Sequence, residues 1–93
     1  MRLLGMMLVR NEQGRYLERV LEQMRSVCDK IVVNDDASTD RTPEICEEYG
    51  AIVSRNTGPS LWGTDELSLR KVVWAMARTH AKPGDWLLCL DAD

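Results

Sequence analysis

The sequence of 93 residues contains no phenylalanine, one histidine and three cysteines. Because no two cysteines form a C-x-x-C pair, neither a disulfide framework nor a zinc site is indicated. We expect Cys28, Cys46 and Cys89 to be small buried hydrophobic residues. The apolar run Leu3–Val9 is far shorter than the ~20 residues that cross a membrane as a helix. We therefore expect a cytoplasmic protein without a targeting segment.

Positive charge is also scarce. Twelve Lys and Arg residues stand against fifteen Asp and Glu residues, which gives a net charge of -3 at pH 7. Proteins that bind the phosphate backbone of nucleic acids usually carry a basic surface, so nucleic acid is not an expected partner. The 44% of hydrophobic and 29% of charged residues are ordinary for a globular domain. The length suits one small domain.

Short apolar runs alternate with amphipathic segments along the whole chain. This pattern is typical of strand–helix–strand units that build a parallel sheet. The predicted strands span residues 3–9, 30–34, 51–54 and 86–90, and the predicted helices span residues 15–25, 42–49 and 65–78. In the last helix we expect an inward stripe that includes Val72, and an ion pair between Glu66 and Arg70. The pattern predicts an α/β fold with a mostly parallel four-stranded sheet.

Acidic side chains follow three of the four predicted strands, namely Glu12, Asp35 with Asp36, and Asp91 with Asp93. Because the carboxyl ends of parallel strands meet at one edge, we expect these side chains to converge. Converging carboxylates repel one another unless a cation lies between them. Their hard oxygen ligands suit Mg²⁺ or Mn²⁺, ions that often share their coordination shell with substrate phosphates. The rim therefore indicates a metal-bound diphosphate, although a D-x-D pair on its own is equally compatible with a solvated strand end.

The two acidic residues at the end of the second strand are stronger candidates for a functional role than the D-x-D pair. Asp35 and Asp36 directly follow a buried strand, where a carboxylate can accept hydrogen bonds from a base or ribose. The following Ser38, Thr39 and Asp40 are typical turn and helix-capping residues, and we assign them that structural role.

Three segments, in order along the whole chain, resemble the motifs of family 2 glycosyltransferases with the GT-A fold. They are LVRNE at residues 8–12, IVVNDDASTDRT at residues 31–42 and WLLCLDAD at residues 86–93. The resemblance implies a three-layer, Rossmann-like sandwich, a Mg²⁺ or Mn²⁺ ion, and inverting transfer from a UDP- or GDP-type sugar. We therefore expect residues 1–93 to be the N-terminal nucleotide-binding portion of a GT-A domain, ending at its D-x-D motif.

The resemblance also implies which residues bind the donor. The implied contacts to the nucleotide sugar are Leu8, Arg10, Glu12, Asp35, Asp36, Arg70, Asp91 and Ala92. Leu8 and Arg10 would line the base, and Asp91 and Asp93 would bind the metal. Many members have a glycine where this chain has Ala37.

The general base of the family lies beyond the D-x-D strand. We therefore expect this chain to form much of a donor pocket without catalysing transfer by itself. The sequence does not identify the acceptor. We also expect the exposed apolar last strand to invite pairing into a homo-oligomer. Two alternatives are a Toprim-like, metal-dependent nucleic-acid module, which would leave Asp35–Thr42 unexplained, and a non-catalytic partner-binding domain.

Overall fold

The computed structural model describes residues 2–90, in which strands and helices alternate. The elements are β1 (Leu3–Val9), α1 (Leu17–Val27), β2 (Lys30–Asp36), α2 (Thr42–Glu48), β3 (Ile52–Asn56), α3 (Glu66–His80) and β4 (Trp86–Cys89). The strands form one sheet in the order β3-β2-β1-β4, and every pair in it is parallel. The predicted α/β, Rossmann-like fold is confirmed.

The two faces of the sheet are covered by different helices. Successive side chains of a strand point to opposite faces. In one cluster Met7, Val9, Ile31 and Val33 pack with buried residues of α1 and α2. In the other, Met6 and Val32 pack with Val73 and Ala77 of α3. The structure is therefore a three-layer sandwich, as predicted.

Helix α1 lies close against β1 because of its apolar spacing and one glycine. Leu17, Leu21 and Met24 are buried and recur at the spacing of a single helix face. A Cβ atom at Gly5 would collide with the Met24 side chain. Gly5 therefore lets the helix approach the sheet.

Helix α3 differs from its prediction in two details. Its buried face consists of Leu69, Val73 and Ala77, whereas Val72 is 42% exposed at the side of that face. The predicted ion pair between Glu66 and Arg70 does not form within residues 2–90. Glu66 instead accepts the N–H of Gly63 at 3.3 Å. No helix within residues 2–90 combines the length and the apolar character needed to cross a membrane.

The cysteines are all free but not all buried. Cys46 is buried, Cys28 is half-buried and Cys89 is exposed. The prediction of three buried cysteines was wrong for Cys89 because it lies on β4, which pairs only with β1 in the described part of the chain.

A charged contact holds β4 in register beside β1. The guanidinium of Arg2 donates to Asp85 Oδ2 at 3.1 Å and to the carbonyl of His80 at 2.8 Å. The backbone N–H of Trp86 donates to the carbonyl of Arg2 at 2.9 Å. This contact fixes the turn before β4, so that β4 runs toward the same sheet edge as β1.

Candidate functional site

The ends of β1 and β2 lie side by side, since Val9 is the register partner of Asp35. The chain leaves each strand through a left-handed residue, with φ 50° at Asn11 and φ 55° at Ala37. These are the non-glycine residues with positive φ within residues 2–90. Such conformations are costly for residues other than glycine and are concentrated at functional sites. A glycine at position 37 would adopt this left-handed turn without strain.

Hydrogen bonds join the loop after β1 to the loop after β2. The backbone N–H of Asn11 donates to Ser38 Oγ at 2.9 Å, and Asn11 Oδ1 accepts the N–H of Thr39 at 2.7 Å. The N–H of Glu12 donates to Thr42 Oγ1 at 2.8 Å. The two strand ends therefore form one continuous rim.

Asp40 is shared between this rim and the start of α2. Its Oδ1 accepts the N–H of Thr42 at 2.9 Å, and its Oδ2 accepts the N–H of Gln13 at 3.2 Å. Burial opposes ionisation of Asp40, but the hydrogen bonds from Thr42 and Gln13 outweigh it and lower the pKa of that carboxyl. Asp40 has the structural turn role that was predicted for it, although the N-cap of α2 is Arg41 and has no side-chain cap. Ser38 and Thr39 additionally hold Asn11.

Asp35 turns toward the face that carries α1 and α2. It is 2% exposed, and its carboxylate accepts both the hydroxyl of Ser38 at 2.6 Å and the N–H of Ser38 at 3.1 Å. Together with Ala37 and Arg55 it lines a cavity of about 440 Å³ between the ends of β2 and β3. Asp35 thus stabilises the turn and borders open space.

Asp36 turns to the opposite face, toward α3, and is fully buried. Its Oδ1 accepts Asn56 Nδ2 at 2.8 Å and the N–H of Leu61 at 3.1 Å. Its Oδ2 accepts Ser60 Oγ at 2.7 Å and the N–H of Trp62 at 3.1 Å. Burial opposes ionisation, yet these hydrogen bonds lower the pKa of Asp36. Asp36 therefore holds the segment after β3 over the end of the sheet.

The remaining predicted contacts on β1 also lie at this rim. Leu8 is 7% exposed, and strand alternation puts it on the α3 face beside Met6. Arg10 is half-buried, and its buried Nε has no hydrogen-bond partner within residues 2–90. The carboxylate of Glu12 lies 3.6 Å from Arg15 Nε.

Arg70 is separate from this group. It is exposed on α3 and forms no ion pair in the part of the chain that the structure describes.

Asp91, Ala92 and Asp93 lie outside the described residues. Strand β4 leads toward them beside β1, with Cys89 opposite Met6 and the N–H of Leu90 donating to the Met6 carbonyl at 3.3 Å. Within residues 2–90 no three His, Cys, Asp or Glu side chains are grouped so that they can hold a metal. The described carboxylates do not form a metal site by themselves. The metal site at Asp91 and Asp93 stays a prediction.

Two contributions to the site were not predicted from the sequence, although Asn11 itself lies in the LVRNE motif at residues 8–12. Asn11 joins the loops, and its position directly after a strand was a usable signal, because asparagine adopts left-handed turns more readily than most residues. The segment Asn56–Trp62 covers Asp36, and no local pattern indicates a contact between positions so far apart in sequence.

Comparison with known proteins agrees with this geometry. Glycosyl transferase family 2 matches residues 6–63. A TPR repeat-containing protein of Synechococcus elongatus is 37% identical over 94% of this chain and 19% of its own length. Uncharacterized proteins of Mycobacterium bovis and Mycobacterium tuberculosis are each 33% identical over 100% of this chain and 23% of their own length.

The chain thus spans about a fifth of the length of these curated relatives. No solved structure matches it significantly. The family match covers well over half of the chain and includes both strand ends that form the rim. The chain therefore belongs to glycosyl transferase family 2.

Proposed function

We propose that this chain binds a nucleotide diphosphate sugar, of UDP or GDP type, at the rim formed by the ends of β1 and β2 together with the residues that follow β4, as the donor half of an inverting glycosyltransferase. The observation that carries the proposal is the joining of the β1 and β2 loops through Asn11, Ser38 and Thr39. This joining fixes polar and charged side chains at the sheet edge where open α/β folds bind ligands. Membership of the family supports the same donor.

Residues on β1 and β2 are the proposed contacts to the nucleoside. Arg10 has a buried Nε without a partner, so a ligand oxygen would satisfy a donor that the described chain leaves unpaired. Leu8 supplies apolar surface beside it. Asp35 or Asp36 accepts from the base or ribose, and Glu12 helps to hold the nucleoside.

The diphosphate is assigned to Arg70 on α3 and to the residues that follow β4. Arg70 is exposed and free of ion pairs within the described residues, which suits a contact to phosphate. Asp91 and Ala92 would lie by the ribose and diphosphate, and Asp91 and Asp93 would hold Mg²⁺ or Mn²⁺. When bound, such an ion stabilises the negative charge that develops on a departing nucleoside diphosphate.

Transfer also requires a general base within hydrogen-bond reach of the acceptor hydroxyl. In the family this acid lies beyond the D-x-D strand. The proposed role of residues 1–93 is therefore donor binding, and sugar transfer detected with the purified chain alone would contradict it.

Calorimetric titration of the chain with UDP, GDP and a short DNA duplex, each with and without Mn²⁺, tests the proposal. We expect nucleotide binding that depends on the metal and is lost in Asp93→Asn. The matched control is Glu22→Gln, because Glu22 is exposed on α1, away from the rim. Metal-dependent DNA binding would favour the nucleic-acid alternative, and no binding of either ligand would favour a partner-binding domain.

A further inference from the structure

The carboxylate of Asp36 accepts hydrogen bonds from Asn56 at the end of β3 and from the segment that follows it. An ionised carboxylate offers about four acceptor positions on its two oxygens. In Asp36 they receive four donors, from Asn56, Ser60, Leu61 and Trp62. A ligand can therefore reach this carboxylate only if the segment gives up at least part of its contact.

The segment from Thr57 to Thr64, here called the cover, has little else that holds it. Its other hydrogen bonds remain local, for example from the hydroxyl of Thr64 to the Leu61 carbonyl and from the N–H of Gly63 to Glu66. Within residues 2–90, the hydrogen bonds that join the cover to a preceding element end on Asp36 or on Asn56 at the end of β3.

The cover also buries little apolar surface. Trp62 is 46% exposed, and most other cover residues are exposed. Segments with few buried apolar contacts open at low free-energy cost. Release of Asp36 is therefore the main step in moving the cover.

Below the cover lies a second acceptor on the same face of β2. Asn34 is 2% exposed and donates through Nδ2 to the Leu69 carbonyl at 3.1 Å, whereas its buried Oδ1 has no hydrogen-bond partner in the described chain. It lines a cavity of about 220 Å³, of which Leu61 forms one wall. Displacement of Leu61 would widen this cavity toward Asp36.

The donors that now satisfy Asp36 are N–H and O–H groups. A nucleoside presents the same groups, as ring N–H and ribose hydroxyls. A buried, ionised carboxylate is a strong acceptor for either set. The cover and a nucleoside are therefore chemically equivalent partners for Asp36.

We propose that the cover competes with the nucleoside for Asp36: it occupies the carboxylate in the free protein and is displaced when a nucleotide binds. This inference rests on the proposed function. Because only the uncovered fraction of the protein binds, the cover weakens the apparent affinity for nucleotide. Weakening the contact between the cover and Asp36 must then strengthen nucleotide binding.

The first test follows Trp62 directly. In the Trp74→Phe/Trp86→Phe variant, Trp62 is the remaining tryptophan, so its fluorescence reports the cover. We expect UDP or GDP with Mg²⁺ to change the Trp62 emission and its quenching by acrylamide. Binding detected by calorimetry without any change at Trp62 would overturn the inference and leave the proposed function intact. Absence of binding by calorimetry would overturn both.

The second test changes the affinity. Ser60→Ala removes one hydrogen bond to Asp36, and we expect nucleotide affinity to rise about threefold to tenfold, the usual effect of one net hydrogen bond. Ser26→Ala is the matched control, since the Ser26 hydroxyl donates to the Gln23 carbonyl on α1. Unchanged or weaker nucleotide binding by Ser60→Ala would overturn the inference, and the Trp62 experiment decides it if this variant does not fold.

Discussion

Asn11 and Thr39 are joined by a hydrogen bond of 2.7 Å from the Thr39 N–H to the side-chain oxygen of Asn11. The contact links the loop after β1 to the loop after β2. Asn11 also adopts a left-handed conformation, with φ 50°, that turns the chain out of the strand. One residue thus shapes one loop and holds the next, and the candidate site depends on both.

We predict that Asn11→Ala lowers the free energy of unfolding by about 1–2 kcal/mol, because alanine loses the hydrogen bond and is strained at positive φ. Asn11→Gly loses the same bond without the strain and should be less destabilised. Urea unfolding of the three proteins measures the difference. Equal stability of Asn11→Ala and the unmodified chain would show that the contact contributes nothing.

At Ala37 we predict that a substitution stabilises the fold, whereas Asn11→Ala destabilises it. Its φ of 55° favours glycine, so we expect Ala37→Gly to raise the free energy of unfolding by up to about 1 kcal/mol, after the entropy cost of glycine in the unfolded chain. The control is Ala75→Gly, at an exposed position inside α3. This variant should lower the free energy of unfolding by about 1 kcal/mol, because glycine is a poor helix former. If both variants lose stability equally, the left-handed turn at residue 37 is wrong.

Asp40 makes stability depend on pH. Although burial opposes its ionisation, hydrogen bonds from Thr42 and Gln13 lower the pKa of Asp40 in the folded protein. The unfolded chain therefore binds the proton first as the pH falls. The stabilisation is complete above the ordinary carboxyl pKa of about 4 and is lost as the pH falls through the lower pKa of the folded state.

We accordingly expect Asp40→Asn to be less stable than the unmodified chain at neutral pH, with the two converging in acid. Urea unfolding across the acid range measures the two curves. A constant difference between them at all pH values would contradict the role assigned to Asp40.

The thiols should react in the order of their exposure. Burial raises the pKa of Cys46 to about 12, whereas Cys89 is exposed on β4. Burial and the nearby charge of Asp29 also raise the pKa of Cys28, which is half-buried. In brief iodoacetamide treatment followed by peptide mapping, we expect Cys89 to be modified first and Cys46 last. Labelling of native Cys46 as fast as Cys89 would contradict the packing of α2.

The edge position of β4 predicts self-association. Within the described residues it pairs only with β1, and Trp86 and Leu90 are 65% and 38% exposed. We expect light scattering to show a mass that rises toward a dimer with concentration. Cys89→Lys should weaken this association, since a charge on an edge strand opposes pairing. The control is Ile52→Lys on the opposite edge strand, β3, which should leave pairing through β4 unchanged. A monomeric mass of the unmodified chain at every concentration would refute pairing through β4.

The order of elements was predictable because apolar periodicity reports which residues face the core. The buried spacing of Leu17, Leu21 and Met24 is visible in the sequence and recurs in α1. The meeting of the β1 and β2 ends followed from parallel topology alone. Position at the edge of a helix face or of the sheet was harder to predict, as Val72 and Cys89 show, because it depends on which neighbours are present.

The different contacts of Asp35 and Asp36 were not predictable from the sequence. The two acids are adjacent in sequence and alternate across the sheet, so one contacts Ser38 in its own turn and the other contacts Ser60 after the next strand. Polar contacts between distant positions leave no periodic signal. The same holds for Asn34, whose amide bonds to Leu69 of α3.

The claim that the strand ends form one nucleotide site is tested most directly by amide chemical shifts of the ¹⁵N-labelled chain during titration with UDP or GDP and Mg²⁺. We predict that the perturbed amides cluster at residues 8–12, 35–37, 57–64 and 89–93, while the solvent-facing amides of α1 stay unchanged. Perturbations confined to other surfaces, or none at saturating nucleotide, would contradict the account.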